Sequence, residues 1–150
     1  MQVAGRAGRG DVPGEVVIQT FQPDHQAVLA AKDHNYELFC REELPQREEL
    51  SYPPAGHLVA VNFTGKDENK VETAAFQIIK ALAEKLPEGA KVLGPAPARI
   101  SRAKKIYRYR AVVKCPAVEP ATAAYKNVLK TAKIPHGVKV GIDVDPTSID

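Results

Sequence analysis

The chain of 150 residues carries a formal net charge of +3, and 44% of its residues are hydrophobic. This length suits one domain or a small domain with an appendage, and no apolar run is long enough to cross a bilayer. The chain starts without the apolar region of a secretory signal, so we expect a cytoplasmic location and no membrane partner. Cys40 and Cys115 lack a CxxC partner, which favours reduced thiols and no zinc site within this chain.

The first ten residues, MQVAGRAGRG, contain two arginines, Arg6 and Arg9, each preceded by a glycine. Glycine lets the backbone approach a ligand closely, and each guanidinium group can bind phosphate oxygens through two hydrogen bonds. The pattern therefore predicts phosphate binding. A disordered nucleic-acid-binding arm is the alternative. A dinucleotide-binding loop is not matched because GxGxxG is absent, and a P-loop fails because Asp11 and Val12 stand where Lys and Ser/Thr are required.

The string from Gln2 to Arg9 resembles the sixth conserved motif of superfamily 2 helicases, QxxGRxGR. In that family the motif lies on the second RecA-like lobe and faces ATP bound to the first lobe. The resemblance implies that Arg6 and Arg9 reach the γ-phosphate as arginine fingers, with Gln2 as a supporting polar contact and Gly5 and Gly8 beside the nucleotide. The first lobe would then belong to a longer protein. We expect this chain to be its C-terminal part and not to hydrolyse ATP alone.

The next elements are predicted from β-branched runs and helical spacing. Residues 15–21 are rich in β-branched side chains and predict a strand, which in a helicase lobe would close the parallel sheet. A short helix over 25–32 follows, and a second helical stretch covers 35–50. Pro45 is expected to kink or divide this second helix, because proline lacks the N–H group that a helix interior requires.

A domain boundary is predicted at residues 51–56, where two prolines and a glycine exclude both a helix and the interior of a sheet. Residues 1–54 would be the end of helicase lobe 2, consisting of a strand and helices. Residues 55–150 would be a C-terminal domain that binds DNA and partners.

Six elements are predicted from His57 onward: strand 57–63, helix 67–86, strand 92–101, strand 106–115, helix 120–132 and strand 138–145. Asp67 is expected to cap the first helix, and Pro95 and Pro97 make the second strand irregular or an edge strand. The order βαββαβ predicts an α+β, ferredoxin-like domain whose two helices share one face of the sheet.

A basic cluster lies between Gly89 and Val118, an interval without any acidic residue. Strand 106–115 alternates, so Tyr107 and Tyr109 point to the core and cations point to the other side. The predicted DNA- or anion-binding residues are Arg99, Arg102, Lys104, Lys105, Arg108, Arg110 and Lys114. Stacking of bases on the tyrosines and a solvated basic hairpin without a ligand are the alternatives.

Two other sets of residues are considered for chemistry. Asp143 and Asp145 share a strand face, but nothing nearby in the sequence completes a ligand set, so we predict a charged strand end and no metal site. The four histidines, His25, His34, His57 and His136, are scattered, and none is assigned a catalytic role.

Five segments, in the same order, resemble the C-terminal portion of the primosomal protein N′ (PriA) family: QVAGRAGRG, PGEVVIQTFQPDH, YPPAGHL, VLGPAPARISRAKKIYRYR and IDVDP. The resemblance covers nearly the whole chain. It implies an ATP-dependent 3′-to-5′ DNA helicase that recognises stalled or repaired replication forks and restarts replication by primosome assembly. The longer protein would use ATP, Mg²⁺ and structural Zn²⁺. Implied partners are branched and single-stranded DNA, single-stranded-DNA-binding protein and other primosomal proteins.

In that family, polar and basic side chains near the start of the domain's second helix help to bind the acidic tail of single-stranded-DNA-binding protein. This chain departs from that pattern with Val118, Glu119, Pro120 and Thr122. The basic cluster suits either anionic partner, the DNA backbone or the acidic tail. A stand-alone, non-enzymatic nucleic-acid-binding module is the alternative function, and a domain that binds only proteins is a third possibility.

Overall fold

The computed structural model describes residues 16–103 and 105–149, apart from the side chain of Ala103. Within them, the elements are α1 (Gln26–Lys32), α2 (Tyr36–Glu49), β1 (His57–Gly65), α3 (Glu68–Ala83), β2 (Lys91–Ala103), β3 (Ile106–Cys115), α4 (Val118–Thr131) and β4 (Val138–Val144). The chain divides into two compact units between Gln46 and Arg47. The predicted boundary at residues 51–56 stays a prediction.

Residues 16–21 lie in neither a helix nor a strand, so the prediction of a strand over 15–21 is wrong. A strand needs a neighbour that takes up its N–H and C=O groups, and no described residue pairs with this segment. Its apolar side chains are consequently exposed, Val17 by 82% and Phe21 completely. The β-branched run alone does not make the strand.

The helix α2 runs without a break from Tyr36 to Glu49, although Pro45 lies inside it. The prediction that Pro45 could divide this helix is therefore wrong. Proline removes one backbone hydrogen bond, and the Gln46 side chain donates an additional one to the carbonyl oxygen of Glu42 at 3.2 Å.

The four strands form one antiparallel sheet in the order β2-β3-β1-β4. Both α3 and α4 pack on one face, where they bury Val59, Val61 and Phe63 of β1. Burial of such a side chain stabilises the fold by about 1.5–3 kcal/mol. The predicted α+β class is confirmed, and the topology is compatible with the ferredoxin-like arrangement.

The sequence signals for α3 and β2 are confirmed. Asp67 caps α3, since its Oδ1 atom accepts a hydrogen bond from the Lys70 backbone N–H at 3.2 Å. β2 is an edge strand, and its pairing with β3 shifts register between Leu93 and Ala96 and again between Pro97 and Arg102. Prolines cannot donate to a sheet, so they are tolerated at this edge.

The sheet has two regions that lie apart from the core. The open face is the side of the sheet opposite α3 and α4. The hairpin end is the end of the sheet where β1 finishes at Gly65, β2 finishes at Ala103, and β3 and β4 begin at Ile106 and Val138.

Candidate nucleic-acid interface

Six of the predicted anion-binding residues lie in β2, in β3 or in the turn between them: Arg99, Arg102, Lys105, Arg108, Arg110 and Lys114. Six other predicted site residues lie outside the described residues: Gln2, Gly5, Arg6, Gly8, Arg9 and Lys104.

The strand β3 has the predicted alternation. Tyr109 is only 7% exposed and belongs to the core, whereas Arg108 and Arg110 are half-buried and point to the open face. Burial raises the pKa of Tyr109, and the carboxylates of Glu72 and Glu68 on α3 add to this effect. These two acidic groups face the core side of the sheet, so the cations on the open face do not share it with them.

Arg110 is held in the middle of the open face by contacts within the chain. Its Nε atom donates to the Oδ1 atom of Asn62 on β1 at 2.7 Å, and its Nη1 atom lies 3.5 Å from the carbonyl oxygen of Ser148. The residues after β4 thus return over the open face. A guanidinium group already held by these acceptors has fewer N–H groups for an external anion.

Lys114 is also engaged, at the end of β3 away from the hairpin. Its Nζ atom donates to the carbonyl oxygen of Leu50 at 3.1 Å and lies 3.9 Å from the centre of the Tyr52 ring. A lysine ammonium over a tyrosine ring is attracted by about 0.5–1 kcal/mol at an exposed site. Lys114 therefore fixes the segment before β1 against the sheet.

The cations at the hairpin end are differently placed. Arg102 and Tyr107 are paired across β2 and β3, and the Arg102 guanidinium carbon lies 5.2 Å from the centre of the tyrosine ring. Lys105 is exposed in the turn with a φ of 62°. Within the described part of the chain, the side chains of Lys105 and Arg108 have no hydrogen-bond or ion-pair partner. Arg99 is exposed within the irregular stretch of β2.

The hairpin end also has a cleft of about 620 Å³ that the sequence analysis did not predict as a site. Lys66, Lys70, His136 and Lys139 line it. No local pattern marks these residues, because they come from two stretches, 66–70 and 136–139, that are distant in the sequence. Only the pairing of Gly65 with Val138 brings the two stretches together.

A second pair of residues that the sequence analysis did not connect lies at the opposite end of the sheet. The carboxylate of Asp145 accepts a hydrogen bond from the Leu58 N–H at 2.9 Å and lies 2.8 Å from His57 Nδ1. The pKa of Asp145 is lowered, first by the Leu58 N–H and then by the His57 hydrogen bond. Burial raises the pKa of the nearby Cys115 thiol, and the negative charge of Asp145 adds to this.

Among the described residues, no group of three or more His, Cys, Asp and Glu side chains is arranged to hold a metal ion. None of the helices in that part of the chain combines the length and the apolar character that a membrane span requires.

Comparison with known proteins connects this domain to one family. A family profile described as the primosomal protein N C-terminal domain matches residues 48–147. The chain belongs to this family. Replication restart protein PriA of Synechocystis sp. is 45% identical over 150 residues, which cover 99% of this chain and 18% of that protein.

Two further PriA relatives match along almost the whole chain. The protein from Treponema pallidum is 38% identical over 99% of this chain and 23% of its own length. The protein from Bacillus subtilis is 36% identical over 97% of this chain and 18% of its own length. The chain spans about a fifth of the length of these curated relatives. The predicted resemblance to the PriA family is confirmed.

The start of α4 is the place where the chain departs from the expected tail-binding pattern of the PriA family. The N-terminal cap of α4, Ala117, supplies no side-chain hydrogen bond, and Glu119 adds a carboxylate in the first turn. The Thr122 hydroxyl donates to the Glu119 carbonyl oxygen at 3.0 Å. None of these groups is positively charged, in contrast to the hairpin end of the sheet.

Proposed function

We propose that the chain is the C-terminal part of a PriA-type replication-restart helicase, and that its domain from β1 to β4 contacts branched and single-stranded DNA. The parent protein would be an ATP-dependent 3′-to-5′ helicase that acts in the cytoplasm on stalled or repaired forks. It would restart replication by assembling the primosome. The family membership and the names of the relatives support this proposal.

The observation that carries the DNA-binding part of the proposal is the concentration of cations at the hairpin end. Arg102, Lys105 and Arg108 come from one β-hairpin, in an interval of the sequence without acidic residues. Lysine and arginine side chains that neutralise phosphates release condensed counterions, which favours binding at low salt. The Arg102 guanidinium carbon lies 5.2 Å from the centre of the Tyr107 ring, and this contact holds the side chain at the hairpin end.

The nucleotide chemistry of the parent protein is proposed from the motif in residues 1–10. Arg6 and Arg9 would contact the γ-phosphate of ATP, with Gln2 in support and Mg²⁺ bound on the other lobe. A structural Zn²⁺ would belong to a part of the parent outside the described residues, since these contain no suitable ligand group.

Single-stranded-DNA-binding protein and other primosomal proteins are the proposed protein partners. The acidic tail of the former and the DNA backbone are both anionic, so both suit the basic hairpin. We favour DNA for this surface because the start of α4, where the resemblance to the family implies tail binding, lies at the other end of β3.

The proposal is tested by measuring fluorescence anisotropy of labelled single-stranded and forked DNA with the 150-residue chain over a range of salt concentrations. Replacement of Arg102, Lys105 and Arg108 together by alanine should weaken binding. Loss of three phosphate contacts should reduce the slope of log affinity against log salt by about 2 for a single strand.

The matched control replaces Lys80, Lys85 and Lys126 by alanine, which removes the same charge from exposed positions in α3, after it and in α4. This control should retain most of the affinity and the salt slope. If both triple variants lose affinity equally, DNA responds to net charge alone and not to the hairpin. If the wild-type chain has no affinity for DNA at moderate salt, a protein-interaction domain is the better description.

A further inference from the structure

The cleft at the hairpin end is formed by two connections that touch each other. A Cβ atom on Gly65, at the end of β1, would lie 3.0 Å from the carbonyl oxygen of Gly137 and 2.7 Å from a methyl group of Val71. Gly137 has a φ of +88°, which favours glycine. Gly65 lets the β1–α3 and α4–β4 connections approach closely, and Gly137 permits the left-handed backbone conformation before β4. Polar side chains from both stretches therefore surround one shared space.

The charge around this space is predominantly positive. Lys66, Lys70 and Lys139 line the cleft, and Asp67 is the acidic residue among its described lining residues. The Asp67 carboxylate already caps α3, and its other oxygen lies 3.9 Å from Lys70 Nζ. Within the residues that the structure describes, the side chains of Lys66 and Lys139 have neither a hydrogen bond nor an ion pair. Three lysines and one carboxylate give the cleft a net positive charge, which attracts an anion.

The size and the apolar parts of the cleft indicate more than a simple inorganic anion. Its volume of about 620 Å³ lies in the range of small-molecule pockets and exceeds the need of a single phosphate. Ile106 and Val138 supply apolar surface beside the lysines. A phosphate attached to a sugar and a base matches this combination, because the sugar and base can contact the apolar side chains.

The cleft is continuous with the basic hairpin through the pairing of three strands. Thr64 of β1 is paired with Arg108 on one side and with Lys139 on the other. All three residues therefore lie in one row on the open face, and the outer two are about 10 Å apart because neighbouring strands are separated by about 4.8 Å. A polyanionic strand lying across this row would reach both the hairpin and the cleft.

We propose that the cleft binds the sugar-phosphate backbone of a single DNA strand, as a second contact beside the hairpin. Lys66, Lys70 and Lys139 hold the phosphates, while Ile106 and Val138 contact the sugar or base. Lysine suits this task because its ammonium group is a point charge on a flexible stem. Such a group binds phosphates without discriminating between bases. The inference rests on the proposed function, since it takes DNA as the anionic partner.

The decisive experiment compares three variants of the 150-residue chain in the anisotropy assay with a labelled oligothymidine strand. Lys66→Ala, Lys70→Ala and Lys139→Ala are combined in the first, the hairpin substitutions in the second, and Lys80→Ala, Lys85→Ala and Lys126→Ala in the control. The cleft variant should bind at least roughly tenfold more weakly at low salt than the control, with a salt slope lower by about 2. Circular dichroism verifies that each variant is folded.

If the cleft variant matches the control while the hairpin variant is impaired, the inference is overturned and the proposed function is retained. If the wild-type chain does not bind the strand, both are overturned.

A measurement on the wild-type chain makes the test independent of mutant folding. The amide signals of Gly65 and Gly137 and the methyl signals of Ile106 and Val138 are followed by NMR during titration with the oligonucleotide. These signals should shift in saturable fashion at oligonucleotide concentrations where inorganic phosphate has no effect. Equal shifts with inorganic phosphate would reduce the cleft to a general anion site, and tighter binding of an acidic peptide of the same charge would assign it to a protein partner; either result overturns the proposal.

Discussion

The Nδ1 atom of His57 lies 2.8 Å from the Oδ2 atom of Asp145, although the two residues are 88 positions apart in the chain. This pair connects the start of β1 to the residue after β4. The same carboxylate accepts the Leu58 N–H, and Asp145 has a φ of 46°. An aspartate tolerates this left-handed conformation better than most residues do. Asp145 therefore connects the end of β4 to β1 through its side chain and through its backbone N–H, which donates to the Leu58 carbonyl oxygen at 2.7 Å.

The lowered pKa of Asp145 makes part of the stability dependent on pH. Its carboxylate is charged more readily in the folded than in the unfolded chain, whose reference pKa is 3.8. This contribution is present above pH 3.8 and is lost as the pH falls through the lower, folded pKa. Asp145→Asn should therefore lower the free energy of unfolding at neutral pH and weaken its decline in acid. The loss should stay below about 1 kcal/mol, because the side chain is 38% exposed and solvent screens the pair.

Urea denaturation at several pH values measures this effect. Asp145→Ala should be worse than Asp145→Asn by about 1 kcal/mol or more, because alanine also disfavours the left-handed backbone. Asp145→Gly serves as the control for the backbone component. Identical pH profiles for the wild type and Asp145→Asn would show that the carboxylate charge does not contribute.

The close approach at Gly65 gives a second expectation. Gly65→Ala should lower the free energy of unfolding by about 1–3 kcal/mol, because its methyl group would overlap Val71 and the backbone of Gly137. Gly141→Ala is the matched control in β4, where a Cβ atom has open space. Thermal or urea denaturation compares the two variants. Equal stability of both would mean that the two connections can separate without cost.

Lys114 gives an expectation that separates stability from binding. Lys114→Met keeps the aliphatic stem but removes the ammonium group over Tyr52, so the free energy of unfolding should fall by about 1 kcal/mol. Lys91→Met is the control, because Lys91 is the exposed partner of Lys114 across β2 and β3. Lys114→Met should affect DNA affinity less than Arg108→Ala does. The opposite order in the anisotropy assay would place the main DNA contact at the Lys114 end of β3, away from the hairpin end.

The motif arginines are tested in the full-length parent protein. Arg6→Ala or Arg9→Ala should reduce DNA-stimulated ATP hydrolysis by about a thousandfold and abolish unwinding, because an arginine finger stabilises the charge of the transition state. DNA binding should be spared. Arg9→Lys should also be defective, since a lysine keeps the charge but lacks the planar fork. Normal turnover in either alanine variant would contradict the arginine-finger assignment.

Local patterns in the sequence predict the fold well where one element carries its own signal. Strand β3 has the predicted bounds because its alternating side chains are determined by burial on one face. Asp67 caps α3 because the capping contact spans only three residues. By contrast, residues 16–21 have no pairing partner among the described residues, and no local pattern contains that information.

The candidate site was only partly predictable for the same reason. The hairpin cations are neighbours in the sequence, so their charge is visible as a cluster. Lys66 and Lys139 become neighbours only because β4 pairs with β1. The sequence also does not show that Lys114 contacts Leu50 and Tyr52. This contact depends on how the segment before β1 returns to the sheet.

The pairing of β1 with β4 has a mechanical consequence. The two strands are antiparallel, so the start of β1 at His57 and the finish of β4 at Val144 lie at the same end of the sheet. A pulling force applied to the chain on both sides of this domain would break the hydrogen bonds between β1 and β4 one after another, starting from this end. The contact between His57 and Asp145 would break first. Tension would then separate β4 from β1 while the pairing of β1 with β3 still holds.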